Sequence, residues 1–248
     1  RWFVVSGLDH DGIQMIVMPD RESAEYCAVD LYNLIEGDCV FFLPDSGKRL
    51  EKSNYKASLG VQRTSAIGKI IDYKEGKLIL VTYPSALEEG VPAPASIRES
   101  LLKLNVGDEI SHESIVESLF NSGFERVDFV AEPGQFAIRG AIVDIFSYSY
   151  NDPFRISFFG DEIDSINIFD CNTQLSKEKV VSAEIYPDLT SSDQEGESCV
   201  QIADILPSET LLWLDSSDMY KGRAFFPLLE RFRKIYLEVP LSRQNEPS

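Results

Sequence analysis

The Gly47-Lys48 pair within Pro44-Asp45-Ser46-Gly47-Lys48-Arg49 is where nucleotide chemistry would have to begin in this sequence. A phosphate-cradling loop needs two glycines five positions apart, then Lys and a Ser or Thr, because backbone amides wrap the phosphates and the hydroxyl holds a metal ion. Phe42 stands where the first glycine is required and Arg49 where the hydroxyl is required, so no cradle is expected. Ser6-Gly7 is no better. Asp215 ends an apolar run, as a metal-holding acid of a nucleotide-driven motor would, but Ser216 follows where such motors carry Glu, and a strand-end cap is the plainer reading. His10 and His112 are the only histidines, and His112 sits between Ser111 and Glu113 at an apparent helix start, a place for capping rather than triad chemistry. Glu88-Glu89, Asp108-Glu109 and Asp161-Glu162 fall in expected turns and read as solvated charge. Cys27, Cys39, Cys171 and Cys199 form no CxxC pair, so reduced, mostly packed thiols are expected rather than zinc ligands. No catalytic residue, cofactor site or metal site is expected in this chain.

Recognition chemistry is better represented. In Phe154–Phe159, Phe154, Ile156 and Phe158 point one way, while Arg155, Ser157 and Phe159 point the other. The first set is a core face. The second sets an aromatic ring beside a guanidinium on the expected solvent face, and Arg139 joins that face if its strand pairs with this one as a hairpin. Gly134 and Gly140 flank Arg139 and permit a bulge or a close backbone approach. Arg and aromatics are enriched at interaction hot spots, and Arg engages carboxylates bidentately. The competing reading is internal: six Lys/Arg face sixteen Asp/Glu between 101 and 188, so both arginines could pair within their own domain and Phe159 could fill a satellite core.

The elements that must position these residues fall into three stretches. In the first third, Gln14–Met18, Cys39–Leu43 and Lys77–Thr82 read as buried strands, with helices between them: one capped by Asp20 and patterned by Ala24, Cys27, Ala28, Leu31 and Leu34, another within Ser58–Tyr73. Strand-helix-strand alternation implies a parallel sheet. A helix over Ser111–Ser122, closed by Gly123, opens the middle third. Short runs follow at Arg126–Ala131, Gln135–Phe146, Phe154–Phe159, Glu162–Phe169 and Val180–Tyr186, punctuated by Pro133-Gly134, Asn151-Asp152-Pro153 and Gly160-Asp161, which reads as an antiparallel meander. Thr190–Ser198 reads as a polar linker. Cys199–Leu206 fits helix or strand, Thr210–Leu214 is a buried strand, and Glu230–Lys234 lies in an amphipathic segment. The division expected is 1–100, 101–188 and 189–248.

Composition bounds the partners. Forty-one acids against 23 Lys/Arg give a net charge of −18. Duplex binding depends on cations neutralising phosphates, so the chain as a whole repels nucleic acid. No apolar run reaches the roughly 18 residues a membrane span needs, and the apolar start at Arg1–Val5 is too short for a signal peptide. A cytoplasmic protein is expected, with no membrane partner.

The block Arg139-Gly140 through Asp144-Ile145-Phe146, then R-x-x-F-F-G-D-E-I-D-S-I from Arg155, then Phe169-Asp170-Cys171-Asn172-Thr173-Gln174, resembles the second domain of UvrB and of the bacterial transcription-repair coupling factors (Mfd). Gly123–Asp128 matches too, and Phe169–Ser176 is nearer the coupling factors than UvrB. Agreement is dense over about 120–188. It is thinner but in order at Leu43-Pro44-Asp45, Arg63-Thr64-Ser65, Leu78–Pro84 and Leu206–Trp213.

The resemblance implies a degenerate P-loop, helicase-like α/β subdomain at 1–100 (1a), an inserted, mainly antiparallel UvrA-binding β domain at 101–188, and a return to the helicase-like part (1b) at 189–248. It implies a docking module that recruits UvrA to stalled RNA polymerase in nucleotide excision repair, without ATPase motifs or a DNA-clamping hairpin. The family's UvrA-contact residues fall on Arg139, Arg155 and Phe159. In the family, ATP belongs to motor domains outside this stretch, as do the RNA polymerase and DNA contacts, and a carboxy-terminal domain masks the UvrA surface. Two departures stand out: the helix expected after Trp2–Gly7 is missing, and the Tyr186–Leu206 connection is short. The rival readings are a divergent helicase-type ATPase and a nucleic-acid-binding module using Arg63, Lys69 and the Lys48, Arg49 and Lys52 stretch.

Overall fold

A computed structural model describes residues 10–36, 39–47, 54–190, 199–214, 223 and 226–236. Trp2–Gly7, the Lys48, Arg49 and Lys52 stretch, Asp215, residues 242–248 and all but Thr190 of the 190–198 linker lie outside the described residues. The chain divides into two compact units, one from the described parts of Arg1–Pro44, Asp72–Glu89 and Gln201–Ser248, the other from those of Asp45–Ile71 and Gly90–Val200.

The first unit is built on a five-stranded parallel sheet of β1 (Gly12–Val17), β2 (Val40–Phe42), β3 (Lys77–Thr82), β14 (Leu211–Leu214) and β15 (Arg233–Tyr236), in the order β15-β14-β1-β3-β2. Ile16, Ile79, Val81 and Trp213 pack with Ala24, Ala28 and Leu31 of α1 (Arg21–Leu34), the apolar stripe read from spacing. Asp20 caps α1 as expected, accepting from the Ser23 amide at 2.8 Å. The strand Leu211–Leu214 lies beside β1, and Trp213 Nε1 donates to buried Gln14 Oε1 at 3.1 Å, so the chain re-enters the sheet it left at Thr82. Cys199–Leu206 is neither one helix nor one strand. It splits into β13 (Cys199–Val200), which belongs to the second unit and pairs there with β4 (Val91–Pro92), and a one-turn helix of this unit, α6 (Ile202–Ile205).

The second unit holds the β-rich region. Its six-stranded sheet runs β11-β10-β9-β8-β7-β6: β6 (Glu125–Arg126), β7 (Gln135–Arg139), β8 (Ile142–Ile145), β9 (Phe154–Phe159), β10 (Glu162–Phe169) and β11 (Ser176–Val180). After the short helices α3 (Pro84–Glu88) and α4 (Pro94–Ser100), the helix α5 (His112–Asn121) supplies Ile115 and Leu119 to the core under this sheet, with Phe136, Val143, Ile145, Phe154, Ile156, Ile163 and Ile166. Ser111 caps it, and Gly123 ends it at φ 79°. The meander is antiparallel except at its edge, where β6 pairs parallel with β7.

Three further details depart from the sequence reading. Gln135–Phe146 is two strands, because Gly140, at φ 61°, turns the chain between β7 and β8. Of the expected run Arg126–Ala131 only Arg126 is strand, as the second residue of β6. The 180–186 run divides, its second half forming β12 (Ser182–Ile185), which pairs with the unforeseen β5 (Leu102–Asn105). The helix α2 (Asn54–Ile71) belongs to this unit rather than to the parallel sheet. Thr64 Oγ1 accepts from the Leu189 amide at 3.3 Å, and Gly68 lies so close to the Tyr186 ring that a methyl group would sit 3.1 Å from it. The compact units are thus cut differently from the 1–100, 101–188 and 189–248 division.

Candidate protein-docking site

Strand alternation in β9 sends Phe154, Ile156 and Phe158 into the core and leaves Arg155, Ser157 and Phe159 on the other face, as the sequence parity requires. Phe159, last in its strand before the Gly160 turn, is 82% exposed. An aromatic ring so exposed gains nothing from its own fold and is the type of group that anchors an interface.

Arg139 and Arg155 do share a face, but not as a hairpin: β8 lies between their strands, and the patch spans three strands rather than two. The residue that joins them is Asp144, directly opposite both Ala137 on β7 and Arg155 on β9. Asp144 is buried. It accepts from Arg155 Nε at 2.8 Å and Arg155 Nη2 at 3.0 Å, and Arg139 Nη2 donates to its Oδ2. Internal pairing of the arginines, one of the two readings left open by sequence, is therefore real, while the internal filling role for Phe159 is not.

The two guanidinium groups differ in setting. Arg155 also donates to the Gln174 carbonyl at 3.3 Å and to Gln174 Oε1 at 2.9 Å, and it stacks over the Phe169 ring at 4.0 Å, leaving its side chain 17% exposed. Phe169 belongs to a small apolar cluster with Val130, Ala137 and Phe146. Arg139 has Asp144 as its ion-pair partner and lies 5.4 Å from the ring of exposed Phe129. Its side chain is 36% exposed. Both strand-end turns, at Gly140 and Gly160, fall at the same end of the sheet, since the Phe158 amide donates to the Ala141 carbonyl. Arg139 and Phe159 are therefore presented together.

Sequence reasoning missed Asp144, Gln174 and Phe129. Asp144 carried a legible signal: an acid inside an apolar strand, at the parity that faces Arg155, needs a cation partner. Gln174 carried none, because its left-handed backbone (φ 62°) is adopted without a glycine.

The other candidates resolve as follows. The Gly47 amide donates to Asp45 Oδ1 at 3.0 Å, so the one glycine of the would-be phosphate loop is already bonded to a carboxylate. His112 packs edge-on against Phe158 with ring centroids 4.2 Å apart, which makes it part of the core margin rather than a cap; Ser111 caps the helix. Arg63 is buried, donating to the Gly90 carbonyl at 3.4 Å, and so is withdrawn from any nucleic-acid surface. Among the described residues no three His, Cys, Asp or Glu are grouped to hold a metal ion, and no helix is long and apolar enough to cross a membrane.

Residues 102–190 match the family model of the UvrB interaction domain. The chain is 28% identical over 178 residues to the transcription-repair-coupling factor of Haemophilus influenzae, covering 72% of this chain and 15% of that protein. It is 31% identical over 160 residues to that of Bacillus subtilis, covering 64% and 13%, and 31% identical over 185 residues to that of Mycobacterium bovis, covering 71% and 15%. The chain therefore spans only about a seventh of the length of these relatives. The patch of Asp144, Arg139, Arg155 and Phe159 lies wholly inside the matched segment. The chain belongs to the transcription-repair-coupling-factor family, and residues 102–190 are its UvrB interaction domain.

Proposed function

We propose that this chain is a docking module of transcription-coupled nucleotide excision repair whose β-rich unit recruits UvrA, with Phe159, Arg139 and Arg155 at the contact. The module works in the cytoplasm by binding, without catalysis or cofactor of its own. RNA polymerase, DNA and ATP engage other parts of the full-length relatives, where a carboxy-terminal domain masks the same surface. The parallel-sheet unit serves as a degenerate helicase-like scaffold, split by the β-rich insertion as in UvrB. The observation that carries this reading is Phe159: a phenyl ring 82% exposed at the end of a core strand, beside guanidinium groups already fixed by a buried carboxylate. Ordered side chains lose less entropy on association, so such a patch is prepared for a protein partner. The net charge of −18 and the burial of Arg63 weigh against a duplex partner.

Calorimetric titration of UvrA with wild type, Arg139→Ala and Phe159→Ala tests the reading. Each substitution should weaken binding by about 1–4 kcal/mol. Equal affinity in all three, with the fold intact, removes the site assignment. ATP turnover by the chain alone, or a salt-dependent micromolar duplex affinity, would favour a divergent motor or a nucleic-acid module instead.

A further inference from the structure

The docking reading treats Arg139 and Arg155 as equivalent contacts, and their surroundings are not equivalent. We propose that Asp144 is the positioning residue of this surface: with Arg155 it forms a fixed buried unit whose role is to set Arg139, the guanidinium actually offered to the partner.

The geometry supports this in three steps. First, the contacts of Arg155 are internal on every side. Its Nε and Nη2 donate to Asp144, its Nη1 and Nη2 donate to Gln174, and its plane lies on Phe169. Five N–H donors are available to a guanidinium, and four are engaged within the fold. Second, one carboxylate serves two cations, so the cluster carries one positive charge in excess. Arg155 is the better enclosed of the two, and the excess therefore emerges through Arg139, whose side chain is twice as exposed. Third, Asp144 holds Arg139 by one terminal nitrogen only, and the side chain stays 36% exposed. Arg139 is thus tethered while its exposed part stays open to a partner; its Nε, buried without a hydrogen-bond partner, is not the atom offered. A domain with sixteen acids and six Lys/Arg has few other cations to present at this point.

The inference rests on the UvrA-docking reading, and its test separates the two. UvrA is titrated with wild type, Asp144→Asn, Arg139→Ala and the double variant. Asn keeps the shape and removes the charge that binds both guanidinium groups. Asp144→Asn should weaken UvrA binding about tenfold or more although it alters no exposed atom. The double variant should bind no worse than Arg139→Ala alone, because an unset Arg139 and a missing one are equivalent to the partner. An affinity for Asp144→Asn within about twofold of wild type overturns the proposal, as does a loss that simply adds to that of Arg139→Ala.

Guanidinium NMR supplies a readout that overall stability does not move. The Arg155 Nε–H signal should exchange slowly with water in wild type and rapidly in Asp144→Asn, and fast exchange in wild type contradicts the fixed unit. Should Asp144→Asn fail to fold, Asp144→Glu keeps the charge and displaces it by one methylene. Reduced UvrA affinity with a retained melting transition supports the positioning role, and wild-type affinity refutes it. If wild type itself does not bind UvrA, the docking reading falls and takes this proposal with it. Undiminished binding by the Asp144 variants removes the proposal alone.

Discussion

Asp144 and Arg155 stand directly opposite one another on neighbouring strands, and the carboxylate takes the guanidinium side-on, at Nε and Nη2. In the proposed docking patch, that pair separates the guanidinium held within the fold from the one left more exposed.

Stability should separate the two arginines and the phenyl ring. Arg155→Ala strips a buried carboxylate of its bidentate partner and uncovers Phe169, so it should destabilise the fold by about 1–3 kcal/mol. Phe159→Ala removes a ring that touches mostly solvent and should change stability by less than about 0.5 kcal/mol. Urea unfolding of both checks the order. A Phe159 variant as unstable as the Arg155 variant would mean the ring packs internally.

The Gln174 loop gives a second ordering. Asp170 Oδ1 accepts from the Asn172 and Thr173 amides, chiefly the latter's bond holding its carboxyl below the ordinary range. The loop then reaches Gln174, whose side chain donates to the Cys171 carbonyl at 2.8 Å and accepts from Arg155. Gln174→Ala loses both bonds and keeps the left-handed backbone, costing about 1–3 kcal/mol. Gln174→Gly loses the same bonds but is relieved of roughly 1 kcal/mol of backbone strain. The glycine variant should therefore be the more stable of the two, and the reverse order in denaturant melts would show that the loop does not hold this conformation.

How much of this was legible follows from what sequence patterns encode. Parity along Phe154–Phe159 sorted core from surface correctly because the strand is regular and its two faces differ in chemistry. The bounds of Lys77–Thr82, Phe154–Phe159 and Glu162–Phe169 followed from turn residues on either side. Parity reports direction and not depth, however. Arg155 points away from the main core yet is enclosed, because Phe169, Phe146, Ala137 and Val130 build a second small core on that face. The hairpin at Gly140 was hidden because apolar residues continue through it. The place of α2 in the β-rich unit depends on contacts between Thr64 and Leu189, 125 residues apart, which no local pattern carries.

Tyr148 makes a pH prediction. Burial first, and then the nearby Asp188 carboxylate, push its phenol up to about 12 from an ordinary 10.0. The folded chain thus disfavours the phenolate. Its contribution is fully present below pH 10, where both states are protonated, and is lost as the pH rises from 10 towards 12. Stability measured over that window should fall, and the fall should be smaller in Tyr148→Phe. An identical slope in both proteins would assign the loss to other groups.

Gly134 meets the same tyrosine from the other side. It sits at φ 84°, and a Cβ there would lie 2.1 Å from the Tyr148 hydroxyl oxygen, whose ring is packed edge-on against Phe124. Gly134→Ala should cost about 2 kcal/mol or more from left-handed strain plus the displaced ring. A thermal melt equal to wild type would show that the ring moves aside freely.

The central claim is that UvrA meets the end of the sheet where Arg139 and Phe159 are presented together. Amide hydrogen exchange of the wild-type chain, with and without UvrA, reads that contact without any substitution. The account predicts added protection confined to the two turns and their flanks, near 139–142 and 157–162. Protection centred on the parallel-sheet unit, with those two turns unchanged in the complex, would contradict it.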